Sequence, residues 1–119
     1  MSKFIQTDYG NRKEILKFPD HYVNLAITVD TAGVTPDANG KKIVPAGTIM
    51  GGGVIADASK LAVKSNDEKA EGVLFNDVDV TYGPASGALL IHGFVDLAKL
   101  PEAPTPEAVA ALKQITFIA

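Results

Sequence analysis

GVLFNDVDVTYGPASGALLIHGFVDL, residues 72 to 97, is the stretch on which the fold turns. In an extended chain successive side chains point to opposite faces. Leu74, Val78, Val80 and Tyr82 then share one face, with Asn76 its one polar member, and Asp77, Asp79 and Thr81 share the other. Gly83-Pro84-Ala85-Ser86-Gly87 is turn-forming, and ALLIHGFV from Ala88 to Val95 resumes an apolar run. Gly93 interrupts that run, as at a bulge or a crowded crossing. The whole reads as a hairpin or two sequential strands.

The same strand and turn vocabulary continues outward. YVNLAITV, Tyr22 to Val29, places Val23, Leu25, Ile27 and Val29 on one strand face. DTAGVTPDANGKK follows as a loop, with Asn39-Gly40 its sharpest turn signal. In KIVPAGTIM a short strand at Ile43-Val44, a bend at Pro45-Ala46-Gly47 and a resumption at Thr48 to Met50 are expected, because proline cannot donate to a sheet ladder. Leu61 to Val63 suggests another short strand. Near the end, Thr105 is a good N-cap, Pro106 suits the first helical position and Glu107 favours the positive helix end. A helix to about Gln114 is predicted, with Val109 and Leu112 as its apolar face, and ITFI at Ile115 to Ile118 closes the chain as a strand. The result is a small, mostly β domain over 21–119, preceded by a segment, 1–20, that reads as an extended arm. That arm is either loose until a partner orders it or an edge strand on its own domain.

The bulk properties narrow the function. The chain has 119 residues, of which 46% are hydrophobic, enough for one modest core. Eleven Lys and Arg stand against 14 Asp and Glu, so no concentrated basic surface for direct nucleic-acid binding is expected. No run approaches 18 apolar residues, so no membrane span is expected. The N-terminus lacks an apolar core of signal-peptide length, and synthesis in the cytoplasm is the default. With no cysteine, thiol chemistry, disulfides and thiolate metal sites drop out.

Candidate chemistry is sparse. Asp77 and Asp79, two apart on a strand, could approximate a carboxylate pair of the glycosidase kind or a weak divalent site, but the pattern reads first as the wet or interface face of an amphipathic strand. Gly51-Gly52-Gly53 could cradle a phosphate, yet it lacks the Gly-Lys-Ser/Thr ending of a P-loop. Zinc needs three or four ligands, and only two histidines exist, His21 and His92, far apart in sequence with nothing to suggest convergence. Ser2, Ser59, Ser65 and Ser86 fall in the arm or in turns, outside any nucleophile elbow. No active site is expected and the chain reads as a non-enzyme, without cofactor or metal.

From Val44 onward the chain resembles the head decoration proteins of tailed phages, the family typified by the capsid-stabilising protein of phage lambda. The resemblance rests on VPAGTI at 44–49, EGVLFNDVDVTYG at 71–83, LLIHGFVDLAKL at 89–100, and a short helix leading into ITFI at 115–118. It implies a small single-domain barrel-like or β-tulip-like fold with one short C-terminal helix. It also implies a homotrimer on the outer surface of the virion capsid, made in the host bacterial cytoplasm. There it binds the major capsid protein at local three-fold sites of the expanded head and stabilises the shell against DNA pressure. The N-terminal arm of such proteins reaches onto the capsid protein. Phe4 and Ile5, isolated in a polar segment, are the expected anchors, and deleting residues 2 to 15 should weaken binding while leaving the core folded. Asp77, Asp79 and His92 are candidate interface residues. The alternatives are a small β-barrel binding module for carbohydrate or surface adhesion, a small hydrolase or transferase, and another structural component of head or tail.

Overall fold

The computed structural model describes residues 15–119. Among the described residues eight strands form: β1 (Val23–Val29), β2 (Ile43–Val44), β3 (Ile49–Gly51), β4 (Leu61–Lys64), β5 (Gly72–Leu74), β6 (Val78–Asp79), β7 (Ala85–Asp96) and β8 (Ile115–Ile118). One short helix, α1 (Pro106–Ala111), precedes β8. The described residues are therefore mostly β, with one short α-helix, one mixed sheet and one antiparallel pair.

The larger sheet runs β1-β4-β3-β5-β7-β8, and β1 also pairs with β7, so the pairing order of its first five strands returns to β1. β2 and β6 pair separately, through Ile43 with Asp79 and Val44 with Val78. The opening stretch is thus not a single hairpin. β5 lies antiparallel to β7, whereas β6 turns aside to β2.

β7 is the axis of the fold, because it contacts β1, β5 and β8 along its length. Its continuous apolar run follows from burial on both faces. Leu89 and Leu90 are both 0% exposed, and they enter different core clusters. Val73 and Leu74 of β5 divide in the same way. A strand covered on one face alternates apolar and polar residues, but one covered on both does not. The first cluster joins Val73, Leu90 and Val95 to Ala108 and Leu112 of the helical segment. The second joins Leu74 and Leu89 to Ile27, Val29, Met50 and Val78.

Several expectations need correction. Tyr82 does not join the buried face with Val78 and Val80, for it is 100% exposed. The chain reverses there, Gly83 N–H donating to the Val80 carbonyl at 3.2 Å, and the two-residue alternation ends with the strand. The helix stops at Ala111, short of Gln114, and buries Ala108 and Leu112 while Val109 is exposed. Its cap is as expected, with Thr105 Oγ1 accepting from Ala108 N–H at 3.1 Å. A turn in which Ile115 N–H reaches the Leu112 carbonyl then aims the chain into β8, parallel to β7.

The 1–20 segment is not uniformly an arm. Ile15 and Leu16 are buried, Leu16 bridges Val95, and Asp96 N–H donates to the Ile15 carbonyl at 2.8 Å. Phe18 stacks edge-on against Phe94. A deletion through residue 15 would remove a fully buried side chain, so the cut that spares the core falls before Ile15.

Candidate functional site

The Asp77 and Asp79 carboxylates do not converge on a common point. Asp77 Oδ1 accepts from Ala46 N–H at 2.6 Å, tying the approach to β6 onto the Pro45–Gly47 bend. Asp79 Oδ1 accepts from Thr81 N–H at 2.9 Å and from the Thr81 hydroxyl, in the local turn geometry short acids favour. Those bonds, with Lys41 as a lesser contributor, hold the Asp79 carboxyl below its ordinary pKa of 3.8. Thr81 Oγ1 also accepts from Lys42 N–H at 2.9 Å. The two acids stitch the 42–47 segment to the 77–81 segment, with Val78 buried between them. They remain exposed on the outside of the β2–β6 pair, where they present an acidic surface.

The glycine corner does make an anion cradle, and the protein fills it itself. Gly52 and Gly53 have φ of +110° and +79°, a region open to glycine, and turn successive N–H groups to one side. Glu71 occupies that concavity. Its Oε1 accepts from Gly53 at 2.5 Å and Val54 at 3.0 Å, and its Oε2 from Ile55 at 3.2 Å. The Glu71 N–H in turn donates to the Met50 carbonyl at 2.8 Å. A phosphate would have to displace a covalently tethered carboxylate. Sequence reading missed Glu71 because its partners lie 16 to 18 residues earlier, and no local pattern links a strand-initiating acid to a distant turn.

The histidines were expected to stay apart, and the fold brings them together. His21 Nε2 and His92 Nε2 lie 2.8 Å apart, with ring centroids at 4.8 Å and planes at 79°. The cause is the β1–β7 ladder, in which Val23 pairs with His92 and the register shifts between Val23 and Asn24. Gly93 allows the approach, since a Cβ there would meet Tyr22 Cβ at 3.3 Å and the His21 carbonyl at 3.5 Å. His92 is half-buried, and its Nδ1 is buried without a partner, as is Asn24 Oδ1. No local sequence signal marks this meeting, which depends on the register that sets Val23 opposite His92.

A cleft of about 400 Å³ lies between the Asp30–Thr35 loop and Pro101-Glu102, floored by Met50 and Ile43. Its polar rim holds Asp30, Asn66 and the Lys64–Glu102 ion pair, 2.6 Å apart. That pair, exposed on both sides, is screened by water and orders the rim only weakly. Among the described residues no group of three or more His, Asp or Glu is placed to hold a metal, and no helix is long and apolar enough to cross a membrane. The expected anchors Phe4 and Ile5 lie outside the described residues. No protein-family model matches the chain, and no curated protein matches it.

Proposed function

We propose that this chain is a non-enzymatic capsid decoration protein, a homotrimer that cements the outer surface of an expanded phage head. The observation that carries this reading is the ordered series of segments resembling that family, taken together with their places in the fold. VPAGTI spans the β2–β3 bend, EGVLFNDVDVTYG spans β5 and β6, LLIHGFVDLAKL fills β7 and its exit, and ITFI is β8. All four therefore belong to one framework of small strands around β7, as a barrel-like or β-tulip-like domain requires.

The rooting of the N-terminal segment supports the same reading. Lys17 N–H donates to the Phe94 carbonyl at 2.8 Å and Asp96 N–H to the Ile15 carbonyl at 2.8 Å, so residues 15–17 are fixed on β7. A segment so rooted can add to a capsid protein by main-chain hydrogen bonds, with Phe4 and Ile5 as anchors. Three such arms in a trimer multiply modest individual contacts. Asp77, Asp79 and the fully exposed Tyr82 supply further candidate contact surface.

The test is co-sedimentation with the cognate expanded shell and its unexpanded precursor, followed by electron microscopy. Saturable binding selective for the expanded form, with density at local three-fold positions, is expected. Deletion of residues 2–14 should weaken binding and leave the thermal transition in place. Absence of binding by the full chain to a verified cognate shell would overturn the proposal. The cleft beside Lys64–Glu102 favours one second reading, a small binding module. A glycan array giving a saturable ligand, abolished by Lys64→Ala, would support it, although a chain with no Trp and three Tyr is poorly supplied with stacking platforms.

A further inference from the structure

We propose that His21 and His92 form a two-imidazole site for a borderline divalent transition-metal ion of the Zn²⁺ or Cu²⁺ class. The inference is independent of the capsid reading. Two nitrogens bound to one ion at about 2.0 Å lie about 2.8 Å apart in a square arrangement and about 3.3 Å apart in a tetrahedral one. In the structure the Nε2 atoms are joined by a hydrogen bond of 2.8 Å, at the near end of that interval, which a bound ion would replace. Entry of an ion needs a spreading of a few tenths of an ångström, and the exposed His21 ring is the one free to move. His92 is held on β7 by its pairing with Val23. Solvent reaches the His21 side and completes the coordination.

The second observation concerns the far side of the His92 ring. An imidazole that ligates through Nε2 carries its proton on Nδ1, and ligating histidines almost always donate that proton to an outer acceptor. His92 Nδ1 is buried and unpartnered, and so is the carbonyl oxygen of the Asn24 side chain. Asn24 adjoins Val23, the residue paired with His92, at the point where the ladder shifts register. Ion binding at Nε2 thus fixes an Nδ1–H donor one ladder position from an acceptor that has no partner of its own. In the structure the two atoms are not bonded to each other, and ion binding would draw them into one hydrogen bond. The site is thus two ligands with an outer residue, not a closed structural zinc site, and it binds an exchangeable ion.

The experiment is calorimetric titration of the full chain with zinc chloride in a non-chelating buffer at pH 7.5, with ¹⁵N NMR of the imidazoles in parallel. One saturable ion per chain is expected, with both Nε2 resonances shifted and His92 locked as the Nδ1–H tautomer. His21→Ala alters an exposed side chain and keeps the fold, and it should weaken binding by about tenfold or more, as should His92→Gln. Asn24→Ala should cost about tenfold, the lower figure for an outer-shell partner. No saturable binding, binding unchanged in His21→Ala, or imidazole resonances unmoved at saturation would each overturn the proposal. The last two outcomes would locate the ion on the N-terminal amine or the surface carboxylates.

Discussion

Replacing Glu71 tests whether the glycine corner is built around its own carboxylate. In Glu71→Ala three N–H groups lose their acceptor at once: Gly53, Val54 and Ile55. They do not suffer equally. Ile55 is exposed and turns to water, whereas Val54 is buried at 2% exposure and Gly53 is half-buried. A buried donor left unpaired costs about 1–3 kcal/mol. Two such donors, one of them only partly dry, give a loss of about 2–4 kcal/mol, a large share of the stability of a domain this size. With a urea slope of about 1.5 kcal/mol/M, the unfolding midpoint should fall by about 2 M. Glu71→Gln separates charge from geometry. It keeps an acceptor for Gly53 and Val54 and loses only the charge and the bond to Ile55, so a smaller loss of about 1 kcal/mol is expected. The assay is equilibrium urea unfolding followed by circular dichroism. An alanine variant within about 0.5 kcal/mol of the parent would refute the argument. So would a glutamine variant as damaged as the alanine one, since the acceptor geometry would then contribute nothing.

Other consequences are open to measurement. Gly72→Ala places a Cβ 2.6 Å from both the Leu89 side chain and the Leu90 carbonyl, so β5 and β7 must separate. A loss of about 2–3 kcal/mol is expected, and a parent-like melting temperature would contradict that packing. Thr105→Ala removes the cap on Ala108 and the hydroxyl bond to the Asn66 carbonyl at 3.1 Å. It should cost about 1–2 kcal/mol in urea unfolding, with Thr105→Ser recovering most of it. Asp79, whose folded pKa lies below 3.8, adds stability that is present above the unfolded value and is lost as pH falls through the folded one. The gap in urea midpoint between the parent and Asp79→Asn should therefore be open at pH 6 and close below pH 3.8. A gap independent of pH would show that the charge of Asp79 plays no part.

Where the fold was legible in the chain, the signal was local. Thr105-Pro106-Glu107 marks a helix start because the capping bonds span three residues. Pro45 to Gly47 marks a bend because proline has no N–H for the ladder. Alternation placed Val23, Leu25, Ile27 and Val29 on one face; Ile27 and Val29 are buried, but Val23, beyond the register shift, is exposed. Alternation misled at Tyr82, where a turn ends the strand, and helical spacing misled at Val109, since the side that is buried carries Ala108 and Leu112. The candidate site was less legible still. Asp77 and Asp79 were visible as exposed acids on a strand edge, but the Ala46 and Thr81 partners that occupy them were not.

The sequence by itself determined the strand and turn vocabulary, the helix cap and the absence of thiol chemistry, because each depends on the nature of a residue or on neighbours a few positions away. Tertiary structure alone decided that β6 leaves β7 for β2, that Glu71 fills the glycine corner, and that His21 meets His92 across 71 residues. Those outcomes depend on strand order and register. They are set by the summed burial of two cores on either side of β7, and a shift of one residue would turn every side chain to the opposite face.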